Sequence, residues 1–113
     1  MEILIRTDMG GTYGLGHAIR CKALAQALAA RGASVGLCTT TPALAAFVAP
    51  FPVVDAWQPN MATRTCDVYV IDTIAPGDCD ARWSACGIRI VRIDHPHATP
   101  ETCDLLIAPG AHW

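Results

Sequence analysis

Apolar and polar positions along the chain alternate between short apolar runs and one long helical stretch. Ile3-Leu4-Ile5 is a run ending in Arg6-Thr7-Asp8, the pattern of a buried strand that leaves the core at Asp8. A glycine-dense loop follows from Met9 to Leu15, with Gly10, Gly11 and Gly14. From Gly16 to Arg31 the spacing predicts a helix: Ile19, Ala23, Leu24, Ala27 and Leu28 recur at three and four residues, while Arg20, Lys22 and Gln26 fall off that face. Gly32 is a natural stop just past its end. Ser34 to Cys38 predicts a second strand. A short helix is expected from Thr41 through Val48, with Thr41 as N-cap and Pro42 as first residue.

Pro50 and Pro52 break that helix, and Val53-Val54 predicts a third strand. Asp67 to Asp72 is the clearest strand, apolar and β-branched. Pro76 to Cys86 fits a short helix ended by Gly87, Ile88 to Ile93 a further strand, and Leu105-Leu106-Ile107 the last one. Strands alternating with helices predict an α/β, Rossmann-like parallel sheet with helices on both faces, in a single domain over residues 1–113. Ligands of such sheets gather at the carboxyl ends of strands. Asp8, Asp72, Asp94 and His95 follow apolar strands directly and stand at those ends. Each aspartate has two readings there: a site residue, or a helix cap or turn former.

Composition narrows the class. Of the 113 residues, 52% are hydrophobic and 16% charged, with a formal net charge of −2. Disorder does not fit so apolar a chain, and nothing resembles the basic footprint of a nucleic-acid binder. So little charge leaves apolar surface for a partner, or for a piece of protein that this chain lacks. The six cysteines have no Cys-x-x-Cys spacing; without a signal peptide they read as reduced core residues of a cytoplasmic protein. Apolar stretches are interrupted well before the ~20 residues of a membrane span.

The candidate chemistry lies in Gly10-Gly11-Thr12-Tyr13-Gly14-Leu15-Gly16-His17-Ala18-Ile19-Arg20. Strand, glycine loop and helix N-terminus are the parts of an anion cradle. Gly11 to Gly16 has P-loop spacing, but His17-Ala18 stands where Lys-Ser/Thr is required. The dinucleotide fingerprint needs a third glycine where Ile19 stands. Both are rejected. His17 remains, in the first helical turn, where the positive helix end favours the neutral imidazole of a general base. The other reading is a surface histidine in an ordinary βα turn. Gly14 and Gly16 would admit a bulky ligand close to the backbone. Arg20, three residues on, shares a face with His17 and could meet an anionic group.

The run Ile5-Arg6-Thr7-Asp8, then Gly14-Leu15-Gly16-His17-Ala18-Ile19-Arg20-Cys21-Lys22-Ala23-Leu24-Ala25, resembles the start of the PseG/SpsG-type nucleotide-sugar hydrolases. These are relatives of the GT-B glycosyltransferases that act in bacterial nonulosonic (pseudaminic) acid synthesis. Their pattern, Arg-x-Asp, a loop, Gly-x-Gly-His-x-x-Arg and an alanine/leucine-rich helix, is met at every fixed position; weaker similarity continues through Val70-Ile71-Asp72 and Cys103 to Ile107. The resemblance implies that His17 positions or deprotonates a water that attacks the anomeric carbon and expels UDP. Asp8, Gly14, Gly16 and Arg20 would shape the sugar site, with Asp72 and Asp94 at neighbouring strand ends.

Family enzymes have two Rossmann-like domains, the second holding most of the uridine diphosphate. This chain stops at Trp113, where the first domain would still be finishing, and its Asp55 to Cys66 connection is short for a helix between strands. The expectation is therefore a catalytic half-domain for a UDP-sugar or sugar phosphate, completed by a separate C-terminal domain chain or by homo-oligomerisation through an apolar face. The alternatives are a stand-alone sugar-phosphate binding or subunit-assembly module, and a GT-B glycosyltransferase fragment. No cofactor is implied. His95-Pro96-His97 with Asp94 and Asp72 lacks a metal motif and reads as a solvated loop, and Trp57, Trp83 and Trp113 read as core or hidden-face aromatics.

Overall fold

The computed structural model describes residues 1–9, 15–55, 66–72, 87–93 and 104–107. Six strands form one sheet: β1 (Glu2–Thr7), β2 (Ser34–Thr39), β3 (Val53–Asp55), β4 (Val68–Asp72), β5 (Arg89–Ile93) and β6 (Leu105–Ile107). Their order is β3-β2-β1-β4-β5-β6, and every neighbouring pair is parallel. Helices α1 (Gly16–Ala30) and α2 (Leu44–Phe47) lie in the β1–β2 and β2–β3 connections. This is an α/β, Rossmann-like sheet. Strand order reverses between β1 and β4, the place at whose carboxyl ends open α/β sheets bind ligands.

Two-residue periodicity divides β1, β2, β4 and β5 between two buried faces, as a parallel sheet requires, whereas Leu105, Leu106 and Ile107 of the edge strand β6 are exposed. Ile3, Ile5, Val35, Leu37, Val70 and Ile93 pack on one face with Ala18, Cys21 and Ala25 of α1 and Leu44 of α2. Ile5, Leu37 and Leu44 are completely buried, worth about 1.5–3 kcal/mol each relative to exposure. The opposite face holds Cys38, Tyr69, Ile71, Ile88 and Ile90 with Cys66, so Cys21, Cys38 and Cys66 are core residues as expected. Arg6, Ile71 and Arg92 are register neighbours on this second face, and both arginines are buried. Both described helices pack on the first face. The Pro76 to Cys86 stretch expected to form a helix lies outside the described residues, as do Gly14, Asp94, His95, His97, Trp57, Trp83 and Trp113.

Helix α1 corrects the expected apolar face. Ile19 is 55% exposed, and Ala23 and Ala27 are exposed too, whereas Ala18, Cys21 and Ala25 are fully buried with Leu24 and Leu28 at the flanks. Apolar residues occur all round this alanine-rich helix, so spacing alone did not fix its rotation. Close approach to the sheet did, because only small side chains fit between backbones. Its end follows expectation: the Ala33 amide donates to the Leu28 carbonyl and the Gly32 amide to that of Ala29, at 3.2 and 3.0 Å. This is a Schellman motif with Gly32 at φ +95°.

Helix α2 is shorter than its pattern suggested, spanning Leu44–Phe47 with Ala43 as N-cap. Thr41 and Pro42 form turns ahead of it, their carbonyls accepting from the Leu44 and Ala45 amides. The Thr41 hydroxyl does not cap the helix. It accepts from the Met9 amide at 2.9 Å and bonds the Thr39 hydroxyl at 2.8 Å, fastening the chain beyond β1 to the end of β2. Lys22 of α1 sits 5.1 Å over the Phe47 ring of α2, a cation–π contact between the helices.

Candidate functional site

Two periodicities converge at the strand-order reversal. Along β4, Val70 points to the α1 face of the sheet, and two residues on, Asp72 must point the same way. Along α1, His17, Arg20 and Cys21 stand at i, i+3 and i+4, one above another on a single face. All three meet Asp72. His17 Nδ1 is 2.7 Å from Asp72 Oδ1, Arg20 Nε donates to Oδ2 at 2.8 Å, and Cys21 Sγ donates to Oδ2 at 3.2 Å. Arg20 Nη2 also donates to Oδ1, so the guanidinium grips the carboxylate with two donors.

The hydrogen bonds fix the imidazole tautomer. An ionised carboxylate only accepts, so the short His17–Asp72 contact requires the proton on Nδ1. In the neutral ring the lone pair then lies on Nε2, at the edge away from Asp72. Arg20 Nη2 lies 3.2 Å from the same Nδ1; with the proton on Nδ1, two donors face each other there and do not bond. Asp72 is fully buried, Arg20 is 30% exposed and His17 is 37% exposed. The pair thus has its orienting carboxylate inside the protein and its imidazole partly exposed.

Cys21 was not among the residues singled out from the sequence. Its position, four residues after His17, carried the signal, and only the fold gave it a partner. Burial, with the Asp72 carboxylate beside it, pushes the Cys21 thiol far above its ordinary range. It is a neutral donor and not a nucleophile.

Asp8 stands apart from this cluster. It is completely buried, and its Oδ1 accepts from the Thr39 hydroxyl (2.8 Å), the Thr40 amide (2.8 Å) and the Thr40 hydroxyl (2.9 Å). Its Oδ2 pairs with Arg6 at 3.3 Å. Burial pushes its carboxyl upward, but the Thr40 amide, the Thr39 and Thr40 hydroxyls and the Arg6 charge outweigh that and hold it below the ordinary carboxylate range. Asp8 fastens β1 to the end of β2 at the start of the glycine loop.

Helix α1 begins without a side-chain cap on Leu15. A methyl group placed on Gly16 would meet no atom of the described residues within 4 Å. A shallow cavity bounded by Gly87, Ile88, Arg89 and Asp104 sits at the amino ends of β5 and β6, away from His17. Among the described residues, no group of three or more His, Cys, Asp or Glu side chains is arranged to hold a metal ion, and no helix is long and apolar enough to cross a membrane. Compared with protein-family models, curated proteins and solved structures, the chain has no significant match.

Proposed function

We propose that this chain is the catalytic, N-terminal-type domain of a UDP-sugar hydrolase with GT-B architecture, in which His17 is the general base. The observation that carries the reading is the His17–Asp72 pair at the carboxyl ends of β1 and β4. In this reading a water lies between His17 Nε2 and the anomeric carbon. Nε2 takes the water proton as oxygen bonds to that carbon; the bond to the β-phosphate oxygen breaks and UDP leaves with the electron pair. Asp72 holds the tautomer and stabilises the imidazolium that forms, the role an orienting carboxylate has in catalytic triads. Arg20 acts on the site through its grip on Asp72, and Gly16 leaves room for the sugar beside the first helical turn.

The uridine diphosphate grip belongs, in this reading, to a second domain facing the same strand ends. A cytoplasmic setting, where thiols stay reduced, suits the buried thiols of Cys21, Cys38 and Cys66. The test is UDP release from a panel of UDP-sugars by the complete active site, the chain joined by the second domain it needs, with His17 intact and with His17→Ala. Loss of a general base lowers kcat by roughly 10²- to 10⁴-fold. Equal turnover by His17→Ala, or no UDP release from any UDP-sugar by the wild type, overturns the proposal.

A further inference from the structure

An ionised carboxylate offers about four acceptor positions, and Asp72 has four donors around it: His17 Nδ1 and Arg20 Nη2 on Oδ1, Arg20 Nε and Cys21 Sγ on Oδ2. Three of these donors come from partly exposed side chains that a ligand can displace. The fourth is Cys21, completely buried between α1 and the sheet. Packing does not ask for a thiol there, since Ala18 and Ala25 fill the equivalent positions on the same face. What alanine lacks is the S–H group.

We propose that Cys21 is a positioning residue of the His17 site, its thiol fixing the rotation of the Asp72 carboxylate so that Oδ1 stays aimed at His17 Nδ1. The proposal rests on the reading of His17–Asp72 as the working pair. Because the thiol is buried and beside a negative charge, it stays protonated and remains a donor at neutral pH. Without it, Oδ2 keeps an unused buried lone-pair direction. The carboxylate then turns to share its remaining donors between both oxygens, at the expense of the His17 hydrogen bond.

The test compares Cys21→Ser and Cys21→Ala. Both are smaller than cysteine, so a packing effect moves them together; only serine donates. Imidazole ¹⁵N resonances of His17 report the Nδ1–H to Nε2–H tautomer ratio, with no need for turnover. The expected result is a ratio lowered roughly 3- to 10-fold in Cys21→Ala, from loss of one weak donor to a charged group, and largely restored in Cys21→Ser. UDP release should follow, with kcat falling and KM little changed. The wild-type S–H stretching band, isolated as the infrared difference from Cys21→Ser, should lie below that of a thiol without a hydrogen bond, which tests the contact even if Cys21→Ala does not fold. A band at the unbonded frequency, or equal tautomer ratios in wild type and Cys21→Ala, overturns the role of Cys21 and leaves that of His17 standing. Unimpaired UDP release by His17→Ala overturns the hydrolase reading, while the tautomer ratios still decide the positioning role.

Discussion

Asp72→Asn is the most informative single change, because it keeps shape and removes charge. In the wild type both carboxylate oxygens face donors only: His17 and Arg20 on Oδ1, Arg20 and Cys21 on Oδ2. An asparagine must point its amide N–H groups at one of these pairs. Facing the Oδ2 side, the amide opposes Arg20 Nε–H, which cannot reverse its role. Facing the Oδ1 side, it opposes Arg20 Nη2 and forces His17 to accept at Nδ1, moving the ring proton to Nε2. Each orientation loses one hydrogen bond to a charged group, about 1.5–3 kcal/mol, and removes the Asp72 charge from beside Arg20. Breaking a wholly buried pair costs about 3–5 kcal/mol, and the 30% exposure of Arg20 lets water recover part of that. The expected destabilisation is about 2–4 kcal/mol.

Urea unfolding followed by circular dichroism would give this as a lower midpoint at unchanged m-value. A double-mutant cycle with Arg20→Met isolates the pair, whose coupling should exceed about 1 kcal/mol for contacting charged groups. The ¹⁵N spectrum of His17 should move towards the Nε2–H tautomer. A destabilisation under about 0.5 kcal/mol, the usual scatter of surface substitutions, together with an unmoved tautomer, would refute the hub role assigned to Asp72.

The other expectations concern Asp8, Cys21 and Gly16. Asp8 is held below the ordinary carboxylate range, so its stabilising contribution is present near neutral pH and is lost as pH falls below about 4. Thr40→Val, which removes one donor, should therefore destabilise most at pH 7 and converge on wild type in acid. A pH-independent difference would refute the linkage. The Cys21 thiol is shifted the other way, so its contribution is complete below the ordinary thiol value near 9 and declines as pH rises further, because the unfolded chain ionises first. Cys21→Ser should flatten that alkaline decline, and native Cys21 should resist thiol reagents until the protein unfolds. Gly16→Ala should fold with equal or slightly higher stability, up to about 1 kcal/mol from helix propensity, because no atom of the described residues lies within 4 Å of the added methyl. If a ligand uses that space, its affinity falls; retained UDP-sugar turnover and KM would refute the role given to Gly16.

Much of this architecture is written locally. The apolar runs at Ile3–Ile5 and Val68–Ile71, and the stop at Gly32, depend on side-chain character and backbone freedom, which act over a few residues; β1, β4 and the end of α1 fall where those signals stand. His17 and Asp72 were also legible one at a time, as a histidine in a first helical turn and an aspartate ending a strand. Three things were not local. The rotation of α1 was set by how closely it approaches the sheet, which buries Ala18, Cys21 and Ala25 and exposes the larger Ile19. The Thr41 hydroxyl was drawn from its expected cap to the Met9 amide by the neighbouring strand end. Arg20, read from sequence as a group for an anionic ligand, found its anion inside the protein at Asp72, 52 residues away. Sequence spacing determined which side chains share a face of one helix or one strand. Only the sheet order, by setting β4 beside β1, decided that those two faces meet, and with that meeting came the partners, tautomer and charge state of the site.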